Sequence, residues 1–207
     1  EETQNKSTAY DMSLLSSYAS KNETYMQIVG TKKYTAKSDK KTYLWNNRNK
    51  LLNSYKFCTG GKTGYTPSAG RTLVTNASNN NLNLTVVTLN DGNEYETHKE
   101  LYEYAFSNYK KYKILNSKKF KIDDSYYPDE IYIKNDFYYP LTEDEKDRVK
   151  VEVKLTKLNH YRNDDSVGIV IVKLDDEEIN SQKVYVRVKN NKKKNIFSKI
   201  WTWLFDK

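Results

Sequence analysis

The chain has 207 residues, of which 37% are hydrophobic and 30% are charged. This length suits one large domain or two small ones. The chain contains no run of 18 apolar residues, so no transmembrane helix is predicted. The formal net charge is +8, with six lysines and one aspartate between 189 and 207. A nucleic-acid-binding face is usually richer in arginine, so we expect no nucleic acid partner, and a basic terminus beside an apolar run favours an anionic membrane surface.

The first part of the chain has a mixed helix and strand pattern. Residues 7 to 21 are predicted to form a helix, because Thr8 and Asp11 have capping spacing and Met12, Leu15 and Ala19 recur at helical spacing. Two strands are predicted at 72–78 and 82–89, joined by three asparagines. After the break at 90–93, a helix is expected to about residue 109.

A second, all-β domain is predicted from the region between 117 and 190, where no helical period is found. Alternation of apolar and charged residues predicts a half-buried strand at 149–155. The stretches VGIVIVKL and KVYVRV, separated by the turn DDEE, predict a pair of strands. The boundary between the two domains is expected between 112 and 117.

The C-terminal segment NIFSKIWTWLFDK is predicted to be an amphipathic helix. Its isoleucines, tryptophans, leucine and phenylalanines occupy an arc of about 200° on a helical wheel, and its polar residues fill the rest. We expect residues 192–206 to lie in the interface of an anionic membrane. The alternative is that the apolar face of this segment packs on the β domain or on a second subunit.

Four of the seven glycines fall between 60 and 70, in the stretch GGKTGYTPSAG. A phosphate-binding loop would need glycine at position 56, where the chain has Lys56. A metal site is also disfavoured, because Cys58, His98 and His160 share no ligand spacing. We therefore expect no metal and no cofactor. The single cysteine excludes an intramolecular disulfide.

The tripeptide at 62–64 is also the K-T-G element of the active-site serine enzymes that bind penicillin. A peptide substrate would pair as an extra strand along the edge that carries it. Lys62 would supply positive charge, and Thr63 a hydroxyl, to the terminal carboxylate of the peptide. Gly64 would leave room for the acyl carbon, and the backbone N–H of Tyr65 would face the developing oxyanion. A glycine-rich hairpin corner without function is the alternative.

Four stretches favour the enzymatic interpretation: STAYDMSLL at 7–15, NRNKLL at 47–52, GGKTGYTPSAGRTLV at 60–74 and VGIVIVKLDDEEI at 167–179. In this order they resemble the low-molecular-mass penicillin-binding proteins, the serine-type D-alanyl-D-alanine carboxypeptidases. The resemblance covers nearly the whole chain. It implies an α+β fold: the C-terminal part of a penicillin-recognising transpeptidase-like domain at 1–112, an all-β domain at 113–190 and a basic amphipathic helix at 191–207.

The same resemblance implies an activity, partners and a location. The enzyme would remove the terminal D-alanine from peptidoglycan stem peptides through an acyl-serine intermediate, and it would bind β-lactams. It would lie in the cell envelope, held peripherally on the outer face of the cytoplasmic membrane. Substrate would bind to Lys62, Thr63, Gly64 and Tyr65. We expect His98, in the stretch NEYETHKELYEYAF, to lie on the packed face of a helix.

The family's chemistry also needs a serine and a lysine in S-x-x-K and a second serine in S-x-N. The first spacing occurs at Ser38–Lys41 in a polar turn and at Ser107–Lys110 at a helix end, and the second occurs at Ser78–Asn80 in a hairpin. None of these three places is suitable. We expect the chain to be the C-terminal portion of such an enzyme, inactive by itself, and to have the missing N-terminal part of the catalytic domain as a partner. The alternative is a non-catalytic envelope-binding module that retains the fold.

Overall fold

A computed structural model describes residues 6 to 188, so the C-terminal helix predicted at 195–206 lies outside the described residues. The chain divides into two compact units, with the boundary between Lys111 and Tyr112.

The first unit is built on a three-stranded antiparallel sheet with the order β3-β4-β5, next to a separate hairpin of β1 and β2. Its helices are α1 (Ala9–Ala19), α2 (Glu23–Gly30), α3 (Leu51–Ser54) and α4 (Glu94–Asn108). Its strands are β1 (Lys33–Lys37), β2 (Thr42–Asn46), β3 (Cys58–Thr66), β4 (Gly70–Asn79) and β5 (Leu82–Leu89). The predicted strand pair and both predicted helices are confirmed.

Helix α1 begins where its cap predicts, because the Thr8 hydroxyl accepts a hydrogen bond of 3.0 Å from the backbone N–H of Asp11. The predicted apolar stripe is wrong in one position. Leu15 is 59% exposed, whereas Ser16 is buried and hydrogen-bonded to Asn76 of β4. A polar contact therefore sets the rotation of this helix on the sheet.

The two faces of the three-stranded sheet are covered by different helices. Thr75 of β4 contacts His98 and Tyr102 of α4, and Asn76, the next residue, contacts Ser16 of α1. Since successive side chains of a strand point to opposite faces, α4 and α1 lie on opposite sides of the sheet. The α4 face holds the apolar core of the unit, which includes Leu51, Tyr55, Leu73, Ala77 and Tyr102.

Two glycines of the cluster have structural reasons for their place. A Cβ atom on Gly60 would lie 2.6 Å from the side chain of Val29, so its absence allows α2 to pack closely on β3. Gly70 has φ +64° and follows the three-residue loop Pro67-Ser68-Ala69 that joins β3 to β4. A glycine in this left-handed conformation is typical of three-residue hairpin loops.

The second unit has a four-stranded antiparallel sheet with the order β7-β11-β10-β9, and β6 pairs with β8. The strands are β6 (Lys110–Leu115, which begins at the boundary), β7 (Glu130–Tyr132), β8 (Phe137–Leu141), β9 (Val149–Leu155), β10 (Ser166–Leu174) and β11 (Glu177–Arg187). Inward side chains, among them Val167, Val170, Val172, Val184 and Val186, form its core. The predicted strands at 149–155, 167–174 and 183–188 are confirmed.

The second unit also contains one short helix that the sequence pattern did not indicate, α5 (Glu143–Lys146). It has a capping box, in which the Thr142 hydroxyl accepts from the backbone N–H of Glu145 and the Glu145 carboxylate accepts from the N–H of Thr142. One turn is too short to show a helical period. The reversal between β10 and β11 is tighter than predicted, because only Asp175 and Asp176, both with positive φ, lie outside the strands.

Candidate active-site strand

The residues at 62–65 lie in the middle of β3, which is an edge strand of its sheet. Strand β4 pairs with one side of β3, and no other described strand pairs with the opposite side. Lys62 and Tyr65 are exposed, Thr63 is half-buried and Gly64 is exposed. An edge of this kind presents unpaired backbone N–H and C=O groups to an extended peptide.

The register of β3 on β4 assigns each side chain to a face. Lys62 pairs with Val74, and Thr63 pairs with Leu73, which belongs to the core under α4. Lys62 and Thr63 therefore point to opposite faces of the sheet. A single carboxylate can meet both side chains only if it lies beside the edge of the strand, which is where an added peptide would end.

The polar groups of Lys62 and Thr63 remain available to a ligand. The Lys62 ammonium donates a hydrogen bond to the carbonyl oxygen of Thr63, and the side chain is exposed. Within the described residues the Thr63 hydroxyl has no hydrogen-bond partner. A negatively charged group at the edge would therefore not have to displace a strong ion pair.

Gly64 has a structural role in addition to the one predicted for substrate access. A Cβ atom at this position would collide with the hydroxyl of Thr72, its partner on β4. A side chain here would therefore disturb the pairing of β3 with β4 as well as the free edge.

Behind β3, a buried polar network ties α4 to the sheet. The His98 ring is fully buried, and its Nδ1 and Nε2 atoms lie 2.7 Å and 3.1 Å from the hydroxyls of Thr75 and Thr88. The Tyr102 hydroxyl donates to the carbonyl oxygen of Thr75 at 2.7 Å. Burial lowers the pKa of His98 to about 4. The prediction of a packed helix histidine is confirmed, and the network holds β4, the strand on which β3 depends.

Two asparagines in the stretch NRNKLL fix the connection that leads into β3. The Asn47 amide donates to the carbonyl oxygens of Val29 and Thr31 at 3.2 Å and 3.0 Å, which ties the hairpin to the end of α2. Asn49 is buried, and its side-chain oxygen accepts from the backbone N–H of Leu51. In the sequence, these two residues contributed only to the family resemblance. They could have been recognised in the sequence because asparagine side chains are common where the chain leaves one secondary-structure element and enters the next.

Three serines with S-x-x-K or S-x-N spacing, Ser38, Ser107 and Ser78, do not form a catalytic pair with a lysine. Ser38 is in the exposed turn between β1 and β2, where its hydroxyl bonds to the backbone of Lys41. Ser107 is exposed in the last turn of α4, and Ser78 pairs with Asn83 near the β4–β5 turn. None of the three lies on β3 or in its register with β4.

Within residues 6–188, the structure also places the cysteine and the potential metal ligands. Cys58 begins β3, and burial raises the pKa of its thiol, which disfavours the reactive thiolate. No group of three or more histidine, cysteine, aspartate or glutamate side chains in this range is arranged to hold a metal ion. In the same range, no helix has the length and apolar character needed to cross a membrane.

Sequence comparisons match both units to known families. Residues 1–93 match the family described as D-alanyl-D-alanine carboxypeptidase. Residues 109–192 match the family described as penicillin-binding protein 5, C-terminal domain. The two matches follow each other along the chain and correspond to its two units.

Individual relatives agree with these matches. The D-alanyl-D-alanine carboxypeptidase DacA of Haemophilus influenzae is 28% identical over 96% of this chain and 53% of its own length. The D-alanyl-D-alanine carboxypeptidase of Streptomyces sp. strain K15 is 42% identical over 34% of this chain and 26% of its own length. The chain thus spans about half or less of the curated relatives it matches.

A solved structure shows the same fold. Penicillin binding protein 5 from Haemophilus influenzae superposes with a TM-score of 0.66 at 23% identity, over 87% of this chain and 56% of that one. The superposed 87% of this chain includes residues of both units.

We predict that His98 makes stability depend on pH. Because its folded-state pKa of about 4 is below the ordinary value of 6.5, the unfolded chain binds the proton more tightly. The free energy of unfolding should therefore be unaffected by His98 above pH 6.5 and should fall by up to about 1.4 kcal/mol per pH unit between 6.5 and 4. Urea titrations at several pH values would measure this slope, with His98→Gln as the control that lacks it. Equal slopes in both proteins would contradict the assignment.

Proposed function

We propose that the chain is part of a low-molecular-mass penicillin-binding protein and that the whole protein is a serine-type D-Ala-D-Ala carboxypeptidase, because its two units match the families described as D-alanyl-D-alanine carboxypeptidase and penicillin-binding protein 5, C-terminal domain. It would trim the terminal D-alanine from peptidoglycan stem peptides and would be acylated by β-lactams. The observation that carries the proposal is the open edge of β3, which bears Lys62, Thr63 and Gly64 with no described strand beside it.

In this mechanism the end of the stem peptide pairs with β3 as an added strand. The Lys62 ammonium and the Thr63 hydroxyl, which point to opposite faces, receive the terminal carboxylate at the edge. That contact positions the last peptide bond for attack by a serine, and the backbone N–H of Tyr65 stabilises the oxyanion that forms. The D-alanine leaves, an acyl-serine ester remains, and water hydrolyses the ester.

We place the serine nucleophile and its lysine base outside these 207 residues. The support is structural, because Ser38, Ser107 and Ser78 lie, respectively, in an exposed turn, at a helix end and at the end of β4 that is farthest from the partners of the K-T-G residues. The segment that supplies them would be the partner that completes the catalytic domain.

An exposed apolar face on α1 is a suitable surface for that segment. Leu14, Leu15 and Tyr18 are 53%, 59% and 76% exposed, while Ser16 on the same helix is buried against β4. Exposed apolar side chains clustered on one helix face usually mark a surface that another segment covers.

Each of three consecutive segments of the chain has a proposed role. Residues 1–112 would supply the K-T-G strand, residues 113–190 would supply the β domain, and residues 191–207 would attach the protein to the membrane. The protein would work in the cell envelope, on the outer face of the cytoplasmic membrane, where its peptidoglycan substrate lies.

We predict that Lys62→Ala slows acylation of the whole enzyme by a β-lactam at least about tenfold, since a charge-assisted hydrogen bond is worth roughly 1.5–3 kcal/mol. Stopped-flow acylation with a fluorescent penicillin would measure the rate. Lys33→Ala is the matched control, because Lys33 is an exposed lysine on β1 of the same unit. Unchanged kinetics in Lys62→Ala would refute the site. A wild-type protein that is never acylated would instead favour the non-catalytic module.

We also predict that removal of residues 192–207 abolishes binding to anionic vesicles. A helix over 195–206 would be about 18 Å long, too short for a hydrocarbon core of about 30 Å, so it should lie in the interface. Each lysine near the surface should add roughly 1 kcal/mol, so binding should weaken as salt is raised. Vesicle sedimentation of both forms at low and high salt would decide. Equal binding by the two forms, or none by either at low salt, would disprove the anchor.

A further inference from the structure

The β1–β2 hairpin carries an exposed strip of aromatic rings, formed by Tyr34, Tyr43 and Trp45 and here termed the aromatic strip. The Tyr34 and Trp45 rings are nearly parallel with centroids 6.0 Å apart, and Tyr43 lies 5.9 Å from Trp45. The three side chains are 58%, 40% and 57% exposed. Large aromatic side chains gain free energy when they are covered, so this strip is suited to binding.

The strand register keeps the rings on one face. Tyr34 pairs directly with Trp45, and Ala36 pairs with Tyr43, so these four side chains share a face. Leu44 points to the opposite face and is 75% exposed. Because pairing holds the rings side by side, a ligand would lose little entropy in ordering them.

A groove lies beside the strip, between the hairpin and the end of α2. Its cavity of about 470 Å³ is lined by Gln27, Ile28, Thr31, Tyr34, Trp45, Asn46 and Asn47. None of these side chains is charged. Asn47 is already bonded to the backbone, but within the described residues the amides of Gln27 and Asn46 have no hydrogen-bond partner.

From this arrangement we propose that the groove binds a glycan chain, specifically a β-1,4-linked polymer of N-acetylated amino sugars. Such a chain alternates apolar C–H faces, which stack on aromatic rings, with hydroxyl and acetamido groups, which pair with free amides. The groove lining offers no cation to an anionic lipid or a nucleic acid, since the Lys41 ammonium, 5.2 Å from the centroid of the Tyr43 ring, lies on the aromatic strip and not among the residues that line the groove. An apolar protein segment would cover the rings but would leave the amides of Gln27 and Asn46 unpaired, at a cost.

The role of this groove in the protein rests on the proposed carboxypeptidase function. The fold connects the groove to the K-T-G strand. Helix α2 supplies Gln27 and Ile28 to the groove, and Val29, the next residue, packs against Gly60 of β3. A glycan held in the groove would therefore lie on the same helix that supports the K-T-G strand. The groove would select stem peptides that are still attached to their glycan.

Calorimetry on the whole protein tests the site with a defined probe, the β-1,4-linked hexamer of N-acetylglucosamine. Trp45→Ala should weaken its binding by about tenfold or more, as expected for an aromatic anchor. Leu44→Ala, on the opposite face of the same hairpin, should leave it unchanged. Both positions are exposed, so neither change should disturb folding, which circular dichroism would verify.

Acylation by a fluorescent penicillin on the same samples separates the two proposals. Trp45→Ala should be acylated at the wild-type rate, because the rings do not belong to the K-T-G strand. Absence of acylation in every sample would refute the carboxypeptidase but not glycan binding. The glycan proposal is overturned if the wild type does not bind the hexamer or if Trp45→Ala binds it equally well. It is also overturned if Trp45 emission, isolated by replacing every other tryptophan of the whole protein with phenylalanine, Trp201 and Trp203 among them, is shielded from acrylamide by another segment of the protein.

Discussion

The pairing of β3 with β4 on one side, with no other described strand on the opposite side, is the constraint on which the proposed site depends. It fixes the rotation of every side chain in the motif, so that Lys62 points to one face, Thr63 to the other, and the free edge lies between them. A peptide can meet both groups only by continuing the sheet. The glycine at 64 protects the same pairing, because a side chain there would strike Thr72.

An edge strand is easily distorted, and the unit compensates with support from both faces. On one face, α2 packs closely on Gly60. On the other, the neutral ring of His98 links the hydroxyls of Thr75 and Thr88, on β4 and β5, to α4. Satisfied buried polar groups of this kind hold one arrangement firmly, because any shift would leave a donor or an acceptor unpaired. The proposed binding edge of β3 can therefore stay unpaired among the described residues and still be held in place.

Elements with strong local signals could be predicted from the sequence. The Thr8 cap, the alternation at 149–155 and the paired strands around 80 and 175 were sufficient for α1, β9 and the two hairpins. The rotation of α1 could not be predicted, since burial of Ser16 depends on Asn76, which is 60 residues away in the chain. The hairpin of β1 and β2 was missed because its aromatic side chains remain exposed and show no buried alternation. The K-T-G residues and their place on a strand edge were predicted from the motif, whereas the register that turns Lys62 and Thr63 to opposite faces required the fold.

The most direct test of the account is a crystal structure of the whole protein, with its nucleophilic serine replaced by alanine, bound to an intact peptide that ends in D-Ala-D-Ala. The account predicts that the peptide pairs with β3, with its end within hydrogen-bond distance of the Lys62 ammonium and the Thr63 hydroxyl. A peptide bound away from β3, or an edge of β3 that another strand of the protein already occupies, would contradict it.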